Sequence, residues 1–229
     1  MSTHFITGAG TDIGKTYVTA LLVRQLRAQG RDVTALKPVA SGMPLIKQSG
    51  FAATDTAQLL SALGLAITPQ TVDACSPWRF KEPLSPDMAA AAEGRTVAFK
   101  ALIDWCQAKI AAAPIGSTVL IEGVGGVMSP VTETATNLDW IKALGCPAVL
   151  VVGSYLGALN HALTGIETLK AHGVSIKALV LNETAESTVD FQATWETLRR
   201  FAPEHPIATL RRGAPFLDLD LSAAPPQGL

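Results

Sequence analysis

A run of nine residues near the start of the chain combines glycines with a lysine and a threonine: Gly8-Ala9-Gly10-Thr11-Asp12-Ile13-Gly14-Lys15-Thr16. Glycine lets the backbone curl so that its N–H groups face an anion, and a helix N-terminus adds further donors. In a phosphate-binding loop of this type, the lysine reaches the β- and γ-phosphates and the threonine hydroxyl binds Mg²⁺. The run departs from the usual pattern at Ala9, where a glycine is expected. It predicts a nucleotide site, with an ordinary tight turn as the alternative.

Further polar residues follow the apolar segments that we predict to be strands. They are Lys37 and Ser41 after one segment, Glu122 before a glycine turn, and Asn182 after a later segment. In an open parallel sheet, ligands bind beyond the carboxyl ends of the strands. We therefore expect these side chains to meet the phosphate loop at one edge of the sheet.

Two carboxylates are candidates for holding Mg²⁺ together with Thr16, because this ion prefers oxygen ligands. Glu122 ends a predicted strand beside the loop, and a structural loop contact is its alternative role. Asp55 lies in the first turn of a predicted helix. An acid is favoured there by the helix dipole alone, so both roles stay open for Asp55.

Lys37 stands at the end of a predicted strand, directly before Pro38. A lysine beside bound phosphates can neutralise the charge of a phosphoryl group in transfer or pair with an anionic substrate. A solvated lysine at a strand end is equally common, so the sequence leaves both interpretations open.

Short apolar runs alternate with helical patterns along the chain, which favours a parallel sheet between helices. The predicted strands are residues 4–7, 33–37, 117–121, 148–152 and 176–181, and the predicted helices are residues 17–29, 54–63, 87–93, 96–112, 137–144, 159–172 and 188–201. Residues 39–50 and 68–86 are predicted to be irregular. We expect an α/β fold with helices on both faces of a mostly parallel sheet, in one domain over residues 1–229. The segment from about Gly213 is predicted to be partly disordered.

The composition argues against several classes of protein. The chain has 229 residues, 48% of them hydrophobic, and a formal net charge of −1 without a basic stripe. We therefore expect neither nucleic acid nor a membrane as a partner. Its three cysteines are widely spaced, which indicates neither a disulfide framework nor a zinc site. No pattern typical of a signal peptide is visible, so a cytoplasmic protein is expected.

Four segments together resemble the dethiobiotin synthetases, enzymes of biotin biosynthesis. They are Thr7-Gly8 with Thr11-Asp12-Ile13-Gly14-Lys15-Thr16, then Lys37-Pro38-Val39-Ala40-Ser41-Gly42, then Glu122-Gly123-Val124-Gly125-Gly126, then Leu156-Gly157-Ala158-Leu159-Asn160-His161. The resemblance covers roughly residues 3–182 in the right order. The second and fourth segments are its specific parts, because a phosphate loop alone fits many functions.

The resemblance implies a P-loop NTPase fold, a homodimer with its active site at the interface, and a reaction. Family members use 7,8-diaminononanoate, CO₂ or bicarbonate, and ATP with Mg²⁺. One amine of the substrate becomes a carbamate that attacks the γ-phosphate, and the other amine then closes a ureido ring. Carbamate and triphosphate are both anionic, so this chemistry requires cations such as Lys15 and Lys37.

The resemblance also assigns roles to individual positions. The catalytic positions are Lys37, Lys15 and Thr11, and the metal ligands are Thr16, Asp55 and Glu122. The nucleotide-binding positions are Asp12, Ile13, Gly14, Lys15, Thr16, Tyr17, Glu122, Gly125 and Asn182, with Asn182 at the adenine. The substrate-binding positions are Thr11, Lys37, Ser41, Gly125 and Asn160, with Asn160 holding the substrate carboxylate from the other subunit.

Several positions depart from the pattern of this family. Gly10 and Asp12 stand where Asp and Glu are frequent, and Val124 replaces a usual alanine. Tyr155 stands where Lys or Arg is common. A Pro-Leu-Gly stretch near the end is replaced by residues 205–211, which leaves the preference for ATP over other nucleotides open.

Two other functions use a similar phosphate loop. An ATP-dependent amidating synthetase would require a glutaminase domain with a nucleophilic cysteine, for which this chain is too short. A regulatory or partitioning ATPase usually has an extra lysine early in the loop, where this chain has Ala9-Gly10.

Overall fold

Six parallel strands form the main sheet in this computed structural model, which describes residues 1–185 and 187–222. The strands, in chain order, are β1 (Ser2–Gly8), β2 (Val33–Leu36), β3 (Val39–Ala40), β4 (Trp78–Arg79), β5 (Thr118–Glu122), β6 (Ala148–Val152), β7 (Ile176–Asn182) and β8 (Ile207–Leu210). The main sheet has the spatial order β2-β5-β1-β6-β7-β8, and β3 pairs with β4 in a small second sheet. Strands β5, β6 and β7 are buried along their whole length, as expected for parallel strands covered on both faces.

Helices cover both faces of this sheet. In chain order they are α1 (Lys15–Ala28), α2 (Asp55–Ala62), α3 (Pro69–Cys75), α4 (Pro86–Ala92), α5 (Phe99–Ala111), α6 (Asn137–Leu144), α7 (Ala158–Ala171) and α8 (Phe191–Phe201), with a short 3-10 helix at Ser49–Ala53. Neighbouring residues of β1 point to opposite faces, so Phe5 packs with the side of α5 to α8 and Ile6 with the side of α1 to α3. The predicted α/β class is thereby confirmed.

The structure differs from the sequence prediction in three places. Residues 68–86 are not wholly irregular, because they contain α3 and β4. Helix α3 starts at a capping box between Thr68 and Thr71, with Pro69 in its first turn. Strand β8 was not predicted and extends the sheet beyond β7. The loop predicted at residues 39–50 likewise begins with β3 and ends in the 3-10 helix.

The segment after Gly213 packs against α1 in the part that the structure describes. Gln25 of α1 donates to the carbonyl of Leu217 at 2.9 Å and accepts from its N–H at 2.8 Å. Leu217 and Leu221 are buried. Partial disorder from about Gly213 stays a prediction, and residues 223–229 lie outside the described residues.

Within residues 1–185 and 187–222, no helix combines the length and the apolar character that crossing a membrane requires.

Candidate active site

The phosphate loop connects the end of β1 to the start of α1. Gly14 precedes the helix with a φ of 89°, in the left-handed region that favours glycine. A Cβ atom on Gly14 would lie 2.3 Å from Nδ2 of Asn182, so the site excludes a side chain there. The ammonium of Lys15 donates to the carbonyl of Gly10 at 2.8 Å, across the loop. The bond between Lys15 and Gly10 therefore spans the loop, which ends at the N-terminus of α1.

Asn182 braces this loop from the end of β7. Its Nδ2 atom donates to the carbonyl of Ile13 at 2.9 Å, and the side chain is buried. The family resemblance implies that Asn182 binds the adenine, and in the structure its side chain contacts the phosphate loop. The contact explains why a polar residue ends a strand that is otherwise apolar.

Lys37, Glu122 and Thr16, which are buried, form a polar cluster beside the loop with Asp55, whose side chain is 43% exposed. The ammonium of Lys37 lies 2.8 Å from Oε1 of Glu122 and 3.1 Å from Oδ2 of Asp55. It also donates to the carbonyl of Gly123 at 2.7 Å, while the Thr16 hydroxyl donates to the same Oε1 atom of Glu122 at 2.6 Å. The register of β1 and β5, which pairs Ile6 with Glu122, holds the carboxylate beside the loop. Four sequence-predicted positions therefore converge.

The charges of this cluster act on one another. Burial alone would lower the pKa of Lys37, but the carboxylates of Glu122 and Asp55 outweigh burial and raise it above the ordinary lysine value. Burial alone would raise the pKa of Asp55, but Lys37 outweighs it and lowers that pKa. Lys15 has the opposite balance: burial, followed by the nearby charge of Lys37, lowers its pKa to about 8. Lys37 is thus held firmly as a cation, whereas Lys15 lacks a close carboxylate.

A glycine turn after β5 forms another wall of the site. Gly125 adopts a φ of 68°, and a Cβ atom there would lie 2.3 Å from the Ser129 hydroxyl. That hydroxyl accepts from the N–H of Gly126 at 2.7 Å. Asn137, fully buried at the start of α6, donates to the carbonyls of Gly126, at 2.7 Å, and Val124. Sequence reasoning missed Ser129 and Asn137, although Thr136 before Asn137 is a visible helix cap.

The cluster opens into a cavity of about 450 Å³. Apart from Val124, every predicted position that faces this cavity is polar or glycine. The rest of the wall consists of Gln58, Pro83 and Leu84, which the sequence did not single out. Ser41 lines this cavity, and its hydroxyl is buried without a hydrogen-bond partner among the described residues. An unpartnered hydroxyl facing a polar cavity is available to a ligand.

Main-chain hydrogen bonds hold the side of the cavity that Ser41 lines. The N–H of Gly42 donates to the carbonyl of Glu82 at 3.0 Å, and the N–H of Met43 donates to that of Phe80 at 2.8 Å. Together with the pairing of β3 and β4, these bonds fix Ser41 relative to Pro83 and Leu84.

Asn160 lies in a second cavity of about 490 Å³, next to the first. Thr11 lines both cavities, so they meet at the phosphate loop. Within one subunit, Asn160 is therefore not among the residues that line the first cavity with Lys37. Beside it, the Tyr155 hydroxyl lies 2.7 Å from Nδ1 of His161.

The residues present fit a magnesium ion. Thr16, Asp55 and Glu122 offer a hydroxyl and two carboxylates beside the phosphate loop, which is an all-oxygen set. Oε2 of Glu122 is buried without a hydrogen-bond partner among the described residues. A bound cation would give this oxygen the partner that it lacks. The described residues contain no group of three or more His, Cys, Asp or Glu side chains suited to a metal.

Comparison with known proteins identifies the relatives of this chain. Residues 2–212 match the protein family described as an AAA domain. The chain is 53% identical over 225 residues to the ATP-dependent dethiobiotin synthetase BioD of Methylobacterium nodulans, covering 98% of this chain and 100% of the relative. It is 46% identical over 202 residues to the protein of the same name from Acidiphilium cryptum, covering 87% of this chain and 88% of the relative.

Solved structures with a similar fold are more distant in sequence. The MinC:MinD cell division protein complex of Aquifex aeolicus matches with a TM-score of 0.52 at 11% identity, covering 92% of this chain and 81% of that chain. A ParA family ATPase from Chlorobium tepidum matches with a TM-score of 0.52 at 13% identity, covering 92% and 83%. These likenesses show the P-loop NTPase fold, whereas the full-length relatives at higher identity show the family. This chain belongs to the family of ATP-dependent dethiobiotin synthetases.

Proposed function

We propose that this ligase of biotin biosynthesis makes dethiobiotin from 7,8-diaminononanoate, CO₂ and ATP through a phosphorylated carbamate. The observation that carries the proposal is the pair of buried lysines, Lys15 and Lys37, at one polar cavity beside a phosphate loop. Family membership favours this reaction over amidation and over a partitioning switch.

The reaction has three steps in this proposal. A substrate amine attacks CO₂, which forms a C–N bond and releases a proton, so that a carbamate results. A carbamate oxygen then attacks the γ-phosphorus of ATP, and the bond from that phosphorus to the departing ADP oxygen breaks. The second amine finally attacks the carbamoyl carbon, phosphate leaves with the C–O bonding electrons, and a proton is lost as the ureido ring closes.

The chain's own residues bring two anions together. We assign Lys15 to the β- and γ-phosphates and Lys37 to the carbamate and the transferring phosphoryl group, where their charges offset the repulsion. Thr11, Ser41 and Gly125 line the same cavity and are positioned to hydrogen-bond the diamine and its carbamate. Fixing both reactants in one geometry lowers the entropic barrier to their reaction.

We assign the nucleotide to the loop and the start of α1. Backbone N–H groups at Asp12, Ile13 and Gly14 face the phosphates, as in other helix N-termini that bind anions. Tyr17 lies on the first turn of α1, and its hydroxyl donates to the carbonyl of Ala214 at 3.3 Å. This contact connects the nucleotide side to the segment after Gly213. We also assign Asn182, which supports the loop through Ile13, to the adenine.

Thr16, Asp55 and Glu122 would hold Mg²⁺ with the nucleotide. When bound, the ion acts as a Lewis acid that neutralises charge on the phosphate oxygens. Lys37 remains the group that this chain supplies to the carbamate.

We further propose a homodimer in which Asn160 binds the carboxylate of the substrate held by the partner subunit. Its place at the N-terminus of α7, outside the Lys37 cavity of its own subunit, supports this arrangement. A cytoplasmic location stays a prediction from the sequence.

The direct test measures ADP release and dethiobiotin formation with 7,8-diaminononanoate, bicarbonate, ATP and Mg²⁺, with each component left out in turn. We expect product only when all four are present, and a large loss of turnover in Lys37→Ala. ADP release that does not depend on the diamine would contradict the proposed reaction, and full activity of Lys37→Ala would remove this lysine from the mechanism.

A further inference from the structure

Three partners surround the Lys37 ammonium, which has three N–H donors. It donates to Oε1 of Glu122 at 2.8 Å and to the carbonyl of Gly123 at 2.7 Å, and it forms an ion pair with Oδ2 of Asp55 at 3.1 Å. The side chain is buried. In this state the ammonium is held by the protein's own acceptors.

The charges of the cluster balance without any metal. Asp55 and Glu122 contribute two negative charges, and Lys15 and Lys37 contribute two positive charges. A divalent ion added to this cluster alone would leave two uncompensated positive charges beside two buried lysines, which is unfavourable. A nucleotide's phosphates bring the negative charge that would compensate the ion.

The two carboxylates that Lys37 contacts are the same two that the Mg²⁺ site needs. Lys37 occupies Oε1 of Glu122 and Oδ2 of Asp55, so an ion that bound both of these oxygens would have to displace the ammonium. We propose that Lys37 acts as a stand-in cation in the nucleotide-free enzyme, which keeps divalent ions out of the Thr16, Asp55 and Glu122 site until the nucleotide arrives.

Replacement of the Lys37 ammonium by a metal ion would have a consequence for the order of events. With metal and nucleotide bound, Asp55 and Glu122 would hold the ion, and the ammonium of Lys37 would be displaced from them. Its donors then become available to the anionic carbamate. This consequence rests on the proposed function, whereas the metal exclusion itself does not.

Titration of the nucleotide-free protein with Mn²⁺, followed by the electron paramagnetic resonance signal of the free ion, tests the proposal. Lys37→Met replaces the lysine with another unbranched side chain but removes the ammonium group. Both carboxylates then become available to the ion. Because a unit charge at contact distance is removed, we expect this variant to bind Mn²⁺ at least about tenfold more tightly than the wild type. Unchanged or weaker binding would overturn the proposal.

Lys15→Met is the matched control, because Lys15 is also buried and its ammonium bonds to Gly10 rather than to a carboxylate. If Lys37 excludes the ion by occupying its place, Lys15→Met should tighten Mn²⁺ binding much less. An equal gain in Mn²⁺ affinity in both variants would show that any nearby positive charge weakens ion binding. That result would overturn the proposal that Lys37 occupies the place of the ion. Neither titration contains substrate, so its failure leaves the dethiobiotin reaction untouched.

A second measurement uses the wild type alone and decides the question if Lys37→Met does not fold. The ¹⁵N signal of the Lys37 ammonium should stay in place when Mg²⁺ is added alone, and should move when Mg²⁺ and ADP are added together. A movement of the same size with Mg²⁺ alone would contradict the proposal.

Discussion

At the scale of single residues, Glu122 organises the candidate site. One of its oxygens accepts from both Thr16 and Lys37, and its side chain is fully buried at the end of β5. Removing either donor leaves a buried carboxylate with one partner fewer. The resulting loss of stability is larger than the loss of a hydrogen bond at the surface. The site therefore depends on all three residues together, and single substitutions in it are not expected to have additive effects.

Lys15→Ala should weaken the binding of a non-hydrolysable ATP analogue more than that of ADP. Lys15 is assigned to the β- and γ-phosphates, and a charged hydrogen bond to the γ-phosphate is absent in the diphosphate. The additional loss should be about tenfold or more, corresponding to roughly 1.5 to 3 kcal/mol for a bond to a charged group. Isothermal titration calorimetry of both nucleotides measures it.

The control for this prediction is Lys100→Ala, which removes a lysine whose side chain is 86% exposed on α5. It should leave both affinities unchanged. Equal losses for the two nucleotides in Lys15→Ala would show that Lys15 does not contact the γ-phosphate.

The residues of the site divide by how visible they are in the sequence. Lys37, Glu122 and Asn182 could be predicted because each stands at the end of an apolar strand. Asn137 and Ser129 could not, because they act on the backbone of a glycine turn that only the tertiary structure brings to them. The meeting of Lys37 with both carboxylates was also beyond prediction, since sequence spacing gives no distances between side chains.

At the scale of elements, β1 carries a titratable residue in its buried stretch. His4 is 3% exposed. Burial, followed by the positive charge of Lys177, lowers the pKa of His4 from 6.5 to about 4. The unfolded chain therefore binds a proton at His4 between these two values, while the folded chain does not.

The sign of this effect predicts a loss of stability in acid. The contribution of neutral His4 is fully present above pH 6.5 and is lost as the pH falls from 6.5 to about 4. His4→Gln does not titrate in this range, so its free energy of unfolding should fall less steeply. Between pH 6.5 and about 4, the free energy of unfolding should fall by about 3 kcal/mol more in the wild type than in His4→Gln. Urea denaturation at several pH values measures the difference.

Parallel curves for wild type and His4→Gln would contradict the lowered pKa. His172→Gln is the control, because this histidine is exposed at the end of α7. Its curve should follow that of the wild type.

Elements with strong local signals were predicted, and those set by pairing were not. α6 and β6 have the predicted bounds, since a helix cap and an unbroken apolar run mark them. β8 is four residues long and exists through its pairing with β7, so its own sequence carries little signal. α3 was missed because its polar residues and the prolines that follow it resemble a loop, although Pro69 is favoured at a helix start.

At the scale of the whole molecule, the segment after Gly213 closes one side of α1. A chain that ends at Gly213 would expose the surface that Leu217 and Leu221 cover, and would lose both bonds between Gln25 and Leu217. We expect its free energy of unfolding to fall by about 3 kcal/mol or more, from roughly 1.5 to 3 kcal/mol for each buried leucine. Urea denaturation measures this loss.

A chain that ends at Ser222 is the matched control, because it keeps both leucines. An equal loss in the two shortened chains would show that the contacts of Leu217 and Leu221 do not account for the effect.

The proposed dimer predicts complementation between two inactive variants. Asn160→Ala lacks the carboxylate contact that we assign to the partner's site, and Lys37→Ala lacks the catalytic ammonium. In a hybrid dimer one of the two sites would contain neither change, so mixing the unfolded chains and refolding them should restore up to about half of the activity per hybrid. Steady-state turnover of the mixture measures the recovery.

Each variant refolded alone is the control and should stay inactive. Hybrids that form, as shown by mass spectrometry, without any recovered turnover would argue against a site shared between subunits.

The way in which Ser41 is held has a consequence for redesign. Gly42 and Met43 are bonded to Glu82 and Phe80 through main-chain atoms, and of these two residues only Phe80 also packs its side chain in the core. The adjoining Leu84 lines the cavity and is partly exposed. Replacing Leu84 should therefore reshape the pocket for diamines of other lengths while Ser41 keeps its position.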